Sequence, residues 1–353
     1  MGTSDWKNLK IAILTPTLLF YSGIDRLVIE ETKKFLGNNN MVTIFTLKAG
    51  LKIQGAEIVE IGMPSSPTLE RVYRLMFFLD RAKIRKYSEM LKDYDVVISH
   101  FYPMNLIAVR ARKKYPIKYI YHNAGVAYPH LFDSFVERAY MRIFNMLSNA
   151  TIKNADEIIS ISDFLRQELK KETGKDSSVE YPEIDKGRFN KSISGERIRK
   201  KHSLGDSFTL LYVGRISPHK GIHILIEAFR KAKEILPELK LMIVGKPTFD
   251  GYYNKLKELS AGLENEIIFT GFVPDDELPE YYAAANVYAT CSMWEGFDLP
   301  AVEAQACGKP VIAFNLCSHQ EVIKSGILVE ANNTTKFSSS IVRLYEKIKS
   351  RKK

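Results

Sequence analysis

A chain of 353 residues exceeds one typical core, and at roughly 150 residues per domain it predicts two domains with room for a cleft. Its composition, 45% hydrophobic and 26% charged, contains no apolar run near the roughly 18 residues that cross a bilayer, which excludes a helical membrane span. The net charge of +10 is uneven, with 21 Lys and Arg against 13 Asp and Glu in residues 1–150 but 10 against 14 in residues 201–300, so the basic first half suits an anionic substrate or membrane surface; no zinc-finger, RNP or helix-turn-helix signature supports nucleic acid.

The opening MGTSDWKNLKIAIL lacks the separate cationic, apolar and small-residue regions of a signal peptide, because apolar residues 11–14 run straight into Thr15-Pro16-Thr17. Ile11–Thr17 is therefore predicted as a first buried strand. Similar runs follow at Met41–Leu47, Val96–His100, Tyr119–Asn123 and Glu157–Ser162, and a second series at Phe208–Arg215, Leu239–Gly245, Glu266–Phe272, Val287–Cys291 and Pro310–Phe314. Apolar strands alternating with amphipathic helices imply parallel sheets covered on both faces, since parallel strands need crossover connections. Two series predict two α/β domains, 1–185 and 207–353, with a polar linker at 186–206. The cysteines, Cys291, Cys307 and Cys317, are odd in number and lack CxxC spacing, which fits a reducing cytoplasm and not structural zinc.

Ligands of open parallel sheets bind beyond the carboxyl ends of strands, so the loops there carry the functional expectations. In the first, Thr15–Ile24, Gly23 precedes the helix Asp25–Leu36 and serves either a phosphate approaching free N–H groups or a plain turn. Neither half shows GxGxxG, which argues against a dinucleotide oxidoreductase. Thr68–Lys92 interleaves Arg71, Arg74, Arg81, Lys83, Arg85, Lys86 and Lys92 with Leu69, Val72, Leu75, Met76, Phe77, Phe78 and Leu79. That pattern suits an interfacial helix on anionic lipid, and equally an amphipathic helix packed on the sheet. Asp93-Tyr94-Asp95 spells a metal-binding DxD but precedes its strand, so it reads as a surface turn. His100 ends that strand and reads as a packed or exposed histidine before a cleft-lining one.

In the second half, Phe208–Gly214 leads into Arg215-Ile-Ser-Pro-His-Lys220-Gly221 and a helix. Strand, short loop and helix gather cations around a phosphate, so Arg215 and Lys220 are expected to face one anion rather than solvent. After Val287–Cys291 comes Glu295-Gly-Phe-Asp-Leu-Pro-Ala-Val-Glu303, with Pro300 expected to start a helix and Glu303 to lie in its first turn. Glu303 alone reads as a capping carboxylate and Glu295 as an exposed loop residue; together, with bare N–H groups between them, they suit a polyhydroxyl ligand carrying phosphate. His219 and His223 lie four apart without a third ligand, and His130, His202 and His319 stand alone, so no metal site is expected.

The order Gly214-Arg215, Lys220-Gly221, then Glu295 and Glu303 within E-G-F-x-L-P-x-x-E-A, resembles the retaining glycosyltransferase family 4, whose fold is GT-B: two Rossmann-like α/β domains with sheets facing across a cleft. Ser22-Gly23-Ile-Asp-Arg-Leu-Val resembles its first glycine loop, with Ser22 where a second glycine is common. His122 follows Tyr119–Tyr121 as the family's active-site histidine does. Ser160-Ile-Ser-Asp and Tyr181-Pro-Glu-Ile-Asp185 resemble the segments leading out of its first domain. The resemblance implies an acceptor-side first domain, a nucleotide-sugar-binding second domain, and a hexosyl donor of UDP or GDP type, with no cofactor and no metal. Arg215 and Lys220 would stabilise the diphosphate leaving group, Glu303 would hold the ribose, and Glu295 would hold the donor sugar. N–H groups around Phe297, Asp298 and Leu299 would assist, Phe272 and Val273 would hold the base, and His122 would approach the sugar. Same-face attack would retain the anomeric configuration.

The acceptor expected is a glycan or lipid-linked molecule, reached from the cytoplasm with peripheral docking of residues 68–92 on the inner face of the membrane. A nucleotide-sugar epimerase or hydrolase, or a binding protein that has lost activity, would use the same architecture. Ile327–Ile348 resembles the family's penultimate strand and helix, so either Lys336–Ile348 crosses back to the first domain or that crossover is missing.

Overall fold

The computed structural model describes residues 6–19, 23–132 and 134–350; Ser22 of the expected glycine loop and the end of the basic tail lie outside them. The chain forms two compact units; the second holds the residues from Glu183 onward together with the short stretch Leu131–Phe132, and the first holds the rest.

In the first unit, β1 (Lys10–Leu18) leads through α1 (Gly23–Gly37) to β2 (Met41–Ala49) and β3 (Glu57–Glu60). Helices α2 (Pro67–Met76) and α3 (Arg81–Met90) precede β4 (Val96–Ser99) and α4 (Met104–Lys114). Then follow β5 (Lys118–Asn123), α5 (Phe135–Ile152), β6 (Glu157–Ser160), α6 (Asp163–Thr173) and β7 (Ser178–Val179). The sheet is parallel, in the order β3-β2-β1-β4-β5-β6-β7. Successive residues of a strand face opposite sides, and β1 uses both: Ile11 and Ile13 bury against Val28 and Phe35, while Ala12 and Leu14 bury in a cluster with Phe77 and Ile107. That double burial is why the central strands read as continuous apolar runs. The edge strands β3 and β7 carry no such run and gave no signal.

The basic-apolar stretch 68–92 is not one helix. It breaks at a 3₁₀ turn, Phe77–Leu79, after which the Asp80 carboxylate accepts from the Lys83 N–H at 3.1 Å and caps α3. Phe77 is fully buried, whereas α2 buries none of its side chains and leaves Leu69, Val72 and Met76 exposed. Among the described residues no helix is long and apolar enough to cross a membrane.

The second unit begins with α7 (Glu196–Lys201), β8 (Phe208–Val213), α8 (Ile222–Ile235), β9 (Leu239–Val244) and α9 (Asp250–Leu259). It continues with β10 (Ile267–Gly271), α10 (Leu278–Ala284), β11 (Val287–Thr290) and α11 (Leu299–Ala306). It ends with β12 (Val311–Phe314), α12 (His319–Val322), β13 (Gly326–Val329) and α13 (Thr334–Ser350). Its parallel sheet has the order β10-β9-β8-β11-β12-β13. Strand order reverses at β8, so the crevice of this sheet opens at the carboxyl ends of β8 and β11. Leu210, Tyr212, Leu225 and Phe229 share its core, each at most 1% exposed, and burial of each such side chain stabilises by about 1.5–3 kcal/mol.

The stretch expected as a linker is packed onto this second unit. Phe189, Ile198 and Leu204 are buried, and the Arg199 guanidinium donates to the Ala284 carbonyl at 2.6 Å. Three apolar residues spaced so widely in a polar background give no periodic signal, which is why the sequence reads as a tether. Helix α13 likewise belongs to the second unit, where Phe337, Ile341 and Leu344, one helical stripe, bury in the same core as Phe229.

Candidate donor-binding site

Backbone-to-backbone packing builds the carboxyl edge of the second sheet. The Gly214 N–H donates to the Val244 carbonyl at 2.9 Å and the Gly245 N–H to the Gly271 carbonyl at 2.9 Å, and a Cβ on Gly245 would lie 1.8 Å from the Gly214 carbonyl oxygen. Gly221 is constrained in the same way: its φ is +62°, and a Cβ there would lie 2.0 Å from the Cys291 carbonyl oxygen. Only glycine lets the start of α8 lie against the end of β11. That approach brings the Lys220 ammonium within reach of the loop after β11, where its Nζ donates to Glu295 Oε1 at 2.6 Å. The side chains are 15% and 11% exposed.

Arg215 is exposed, and its turn is pinned by the buried Tyr212 hydroxyl, which donates to the Arg215 carbonyl at 3.0 Å. His219, in the turn Pro218–Lys220 that follows Arg215, is buried. Burial first, then the charges of Lys220 and Arg215, push its pKa down to about 3. The charges of Lys220 and Arg215 thus both reach this one ring. His223, by contrast, faces the Tyr252 hydroxyl at 2.9 Å, so the two histidines have separate partners.

The loop from Glu295 to Glu303 is held from below. Ser318 Oγ donates to the Glu295 carbonyl at 3.1 Å, and Phe297 is buried. Asp298 adopts φ +63° and caps α11, its Oδ1 accepting from the Ala301 N–H at 3.3 Å. Helix α11 therefore starts at Leu299, which places Pro300 second rather than first and Glu303 beyond the first turn. The capping role expected of Glu303 falls to Asp298; Glu303, 3% exposed, instead has Oε2 accepting from the Tyr282 hydroxyl at 2.7 Å. Val273 is buried and Phe272 is 49% exposed just beyond β10.

His319 does not stand alone. It is fully buried at the start of α12, with Nδ1 2.7 Å from the Phe314 carbonyl and Nε2 2.9 Å from Asp298 Oδ2. A carbonyl cannot donate, and Asp298, which already accepts a backbone N–H at a helix start, is best placed as a carboxylate. Both ring nitrogens then carry protons. Burial alone would lower its pKa, but the Asp298 hydrogen bond and charge, with Glu295 and the Phe314 carbonyl, raise it above the ordinary value. The signal available in the sequence was its place after a strand, in the same class of loop as Arg215 and Glu295.

In the first unit, Gly23 is the exposed first residue of α1 and a Cβ there would meet nothing within 4 Å, so packing does not demand a glycine. His122 is buried on β5 with Glu31 and His100 beside it. Asp95 of the DxD-like turn accepts from the Lys10 N–H at 2.8 Å at the amino end of β1, on the edge opposite to a ligand site.

Two family profiles match the chain: residues 21–182 match the one described as Glycosyltransferase Family 4, and residues 194–353 the one described as Glycosyl transferases group 1. A D-inositol 3-phosphate glycosyltransferase of Actinosynnema mirum is 29% identical over 71% of this chain and 64% of its own length. A GDP-mannose-dependent alpha-(1-6)-phosphatidylinositol monomannoside mannosyltransferase of Mycobacterium tuberculosis is 29% identical over 54% of this chain and 52% of its own. The chain thus spans between half and two thirds of the length of these curated relatives. Among solved structures, Anabaena HepE in complex with UDP-glucose superposes with a TM-score of 0.80 at 20% identity, over 97% of this chain and 91% of that one, a likeness of the GT-B fold. With one profile on each unit and most of the sequence covered, the chain belongs to glycosyltransferase family 4.

Proposed function

We propose that the protein transfers a hexosyl group from a nucleotide-diphosphate sugar of UDP or GDP type to an acceptor, with retention of anomeric configuration and without a metal. The observation that carries this reading is the Lys220–Glu295 contact of 2.6 Å at the carboxyl ends of β8 and β11, with Arg215 in the loop that follows β8 and Glu303 in α11, the helix that follows the Glu295 loop. On this reading Arg215 and Lys220 offset the charge that develops on the leaving diphosphate, the task a metal ion performs elsewhere. Glu303 holds ribose hydroxyls, Glu295 holds sugar hydroxyls, and the N–H groups of Phe297, Asp298 and Leu299 assist. Phe272 and Val273 flank the base. The second unit is then the donor side, the first unit the acceptor side, and His122 the first unit's contribution to the chemistry. The relatives' names support the donor class, one being GDP-mannose-dependent and one solved neighbour holding UDP-glucose.

The expected result in a thermal-shift screen is a rise in Tm with one family of nucleotide sugars, since saturation at about 100 times Kd stabilises by roughly 2.7 kcal/mol. NMR of the product should show the donor's anomeric configuration, and EDTA should leave turnover unchanged. An inverted product would sink the retaining assignment, and loss of turnover restored by a divalent cation would sink the metal-free one.

The acceptor side carries an apolar and basic surface. Leu69, Val72, Met76, Phe78 and Leu79 are exposed beside Arg71 and Arg81, and α5 exposes Phe135 and Val136, each 74% accessible. Arg71 lies 3.6 Å from Glu137 of α5, so the two helices share one face. This supports docking on an anionic membrane to reach a lipid-linked or glycan acceptor. Co-sedimentation with anionic vesicles should exceed that with neutral vesicles and fall with salt; equal pelleting with both would overturn the electrostatic version.

A further inference from the structure

Helix α1 packs on the first sheet through Leu27, Val28, Thr32 and Phe35, and Glu31 lies on that same stripe, where an apolar residue is the rule. A carboxylate placed against a core must find charged or hydrogen-bonding partners, because an unpaired buried charge is strongly unfavourable. Glu31 finds two. Its Oε1 makes a short contact with His122 Nδ1, and its Oε2 lies 2.9 Å from His100 Nε2. The imidazoles are 5.2 Å apart between ring centres and tilted by 32°. His100 is fully buried, and the Glu31 and His122 side chains are 13% and 8% exposed.

The two contacts are unequal. The His100–Glu31 pair is within ion-pair range but not aligned as a hydrogen bond, which leaves His100 Nε2 and Glu31 Oε2 without one, whereas Glu31 Oε1 and His122 Nδ1 face each other directly. His122 Nε2 is buried with no hydrogen-bond partner among the described residues. The carboxyl of Glu31 is held well below its ordinary range: burial would raise its pKa, but the two imidazoles that face it, His122 first and then His100, more than reverse that. An ionised carboxylate can only accept. Its partner nitrogen on His122 must then carry the proton, and which nitrogen of a histidine is protonated is set by the bond the other makes.

Glu31, His100 and His122 also form a group whose ligand atoms lie within 4.8 Å of one another. Two ligands of one tetrahedral zinc, with bonds of about 2.0–2.1 Å, stay about 3.3 Å apart. The 2.9 Å separation of His100 Nε2 and Glu31 Oε2 is shorter, and suits a carboxylate shared between imidazoles.

We infer that Glu31 is a positioning residue for His122: its carboxylate holds the imidazole in the Nδ1–H form and leaves Nε2 as the free, hydrogen-bond-accepting nitrogen. His100 closes the other side of the carboxylate and keeps it from turning away. The inference rests on His122 taking part in the reaction, as proposed above, but its test separates the two.

The experiment is ¹⁵N–¹H NMR of selectively labelled histidine in the full chain, with turnover measured beside it. In the native protein His122 should show a protonated Nδ1 and an unprotonated Nε2. In Glu31→Leu, where no acceptor remains, it should move to the Nε2–H form, while kcat falls about 10- to 100-fold, by analogy with the loss seen when the carboxylate behind a metal-bound histidine is removed. Because Glu31→Leu also alters packing, Glu31→Gln provides the second arm: its amide oxygen can still accept from Nδ1, so the Nδ1–H form and part of the activity should persist. A native His122 in the Nε2–H form, or one unchanged in Glu31→Leu, overturns the inference. Stoichiometric zinc uptake by the native chain that is lost in Glu31→Gln overturns it in favour of a metal site. A tautomer that switches as expected with turnover unchanged supports the positioning role and refutes the part assigned to His122 in catalysis.

Discussion

Replacing Lys220 by alanine is expected to lower kcat by about 10²–10³, roughly 2.7–4 kcal/mol of transition-state stabilisation, as removal of one preorganised charge-stabilising donor does. The 2.6 Å contact with Glu295 makes the interpretation less simple than the number. Truncation also leaves Glu295, 11% exposed at its side chain, as a nearly buried carboxylate without its ion-pair partner, and stranding one partner of a buried pair costs about 3–5 kcal/mol. A fall in rate could therefore report a distorted loop rather than a missing charge on the leaving group. A double-mutant cycle separates these. In Lys220→Ala/Glu295→Gln the stranded charge is gone, so folding stability should recover toward that of the native chain. If Lys220 faces the diphosphate, kcat of the double mutant should stay at least 10²-fold below that of Glu295→Gln alone, and Lys220→Arg should restore part of the activity lost in Lys220→Ala. Should kcat return with stability in the double mutant, Lys220 serves only to neutralise Glu295 and its proposed part in departure of the leaving group fails.

The same contact marks how far the sequence carries. Arg215, Lys220 and Glu295 could be singled out because they follow the carboxyl ends of strands that announce themselves by double-sided burial, whereas Glu303, inside α11, stood out only through its place in the E-G-F-x-L-P-x-x-E-A segment. What could not be read was their pairing. Nothing in the spacing puts Lys220 on Glu295, because the approach depends on Gly221 being small enough to lie against the Cys291 carbonyl, a constraint between elements far apart in the chain. Likewise the left-handed conformation of Asp298 moves the start of α11 by one residue, takes the cap away from Glu303 and turns that carboxylate toward Tyr282. Glu31 was missed for the opposite reason: a charge on a surface-like helix reads as solvated until the sheet shows which face is covered. Edge strands β3 and β7 and the packed stretch before β8 were illegible because they bury few residues, and periodicity detects only what is buried repeatedly.

His319→Ala is expected to destabilise the second unit by about 3 kcal/mol near neutral pH, because it removes the only cation paired to Asp298 among the described residues and leaves that carboxylate 2% exposed at its side chain. The effect should depend on pH with a definite sign. The folded pKa of His319 is raised above its ordinary value of 6.5, so the native state binds its proton more tightly than the unfolded chain does. Its contribution is fully present below about 6.5, the unfolded value, and is lost as pH rises through the folded value, where the imidazolium gives up its proton. Urea midpoints of the native chain should accordingly fall across that window, whereas those of His319→Ala should lack this component of the slope. His319→Gln keeps a donor for Asp298 but no charge, and should lie between the two at acidic pH. Because Asp298 caps α11 and Ser318 holds the Glu295 carbonyl, loss of the pair should loosen the segment from Glu295 to Glu303 before it unfolds the unit. Donor KM should then rise in His319→Ala more than kcat falls, and a variant that loses stability with KM unchanged would confine His319 to folding.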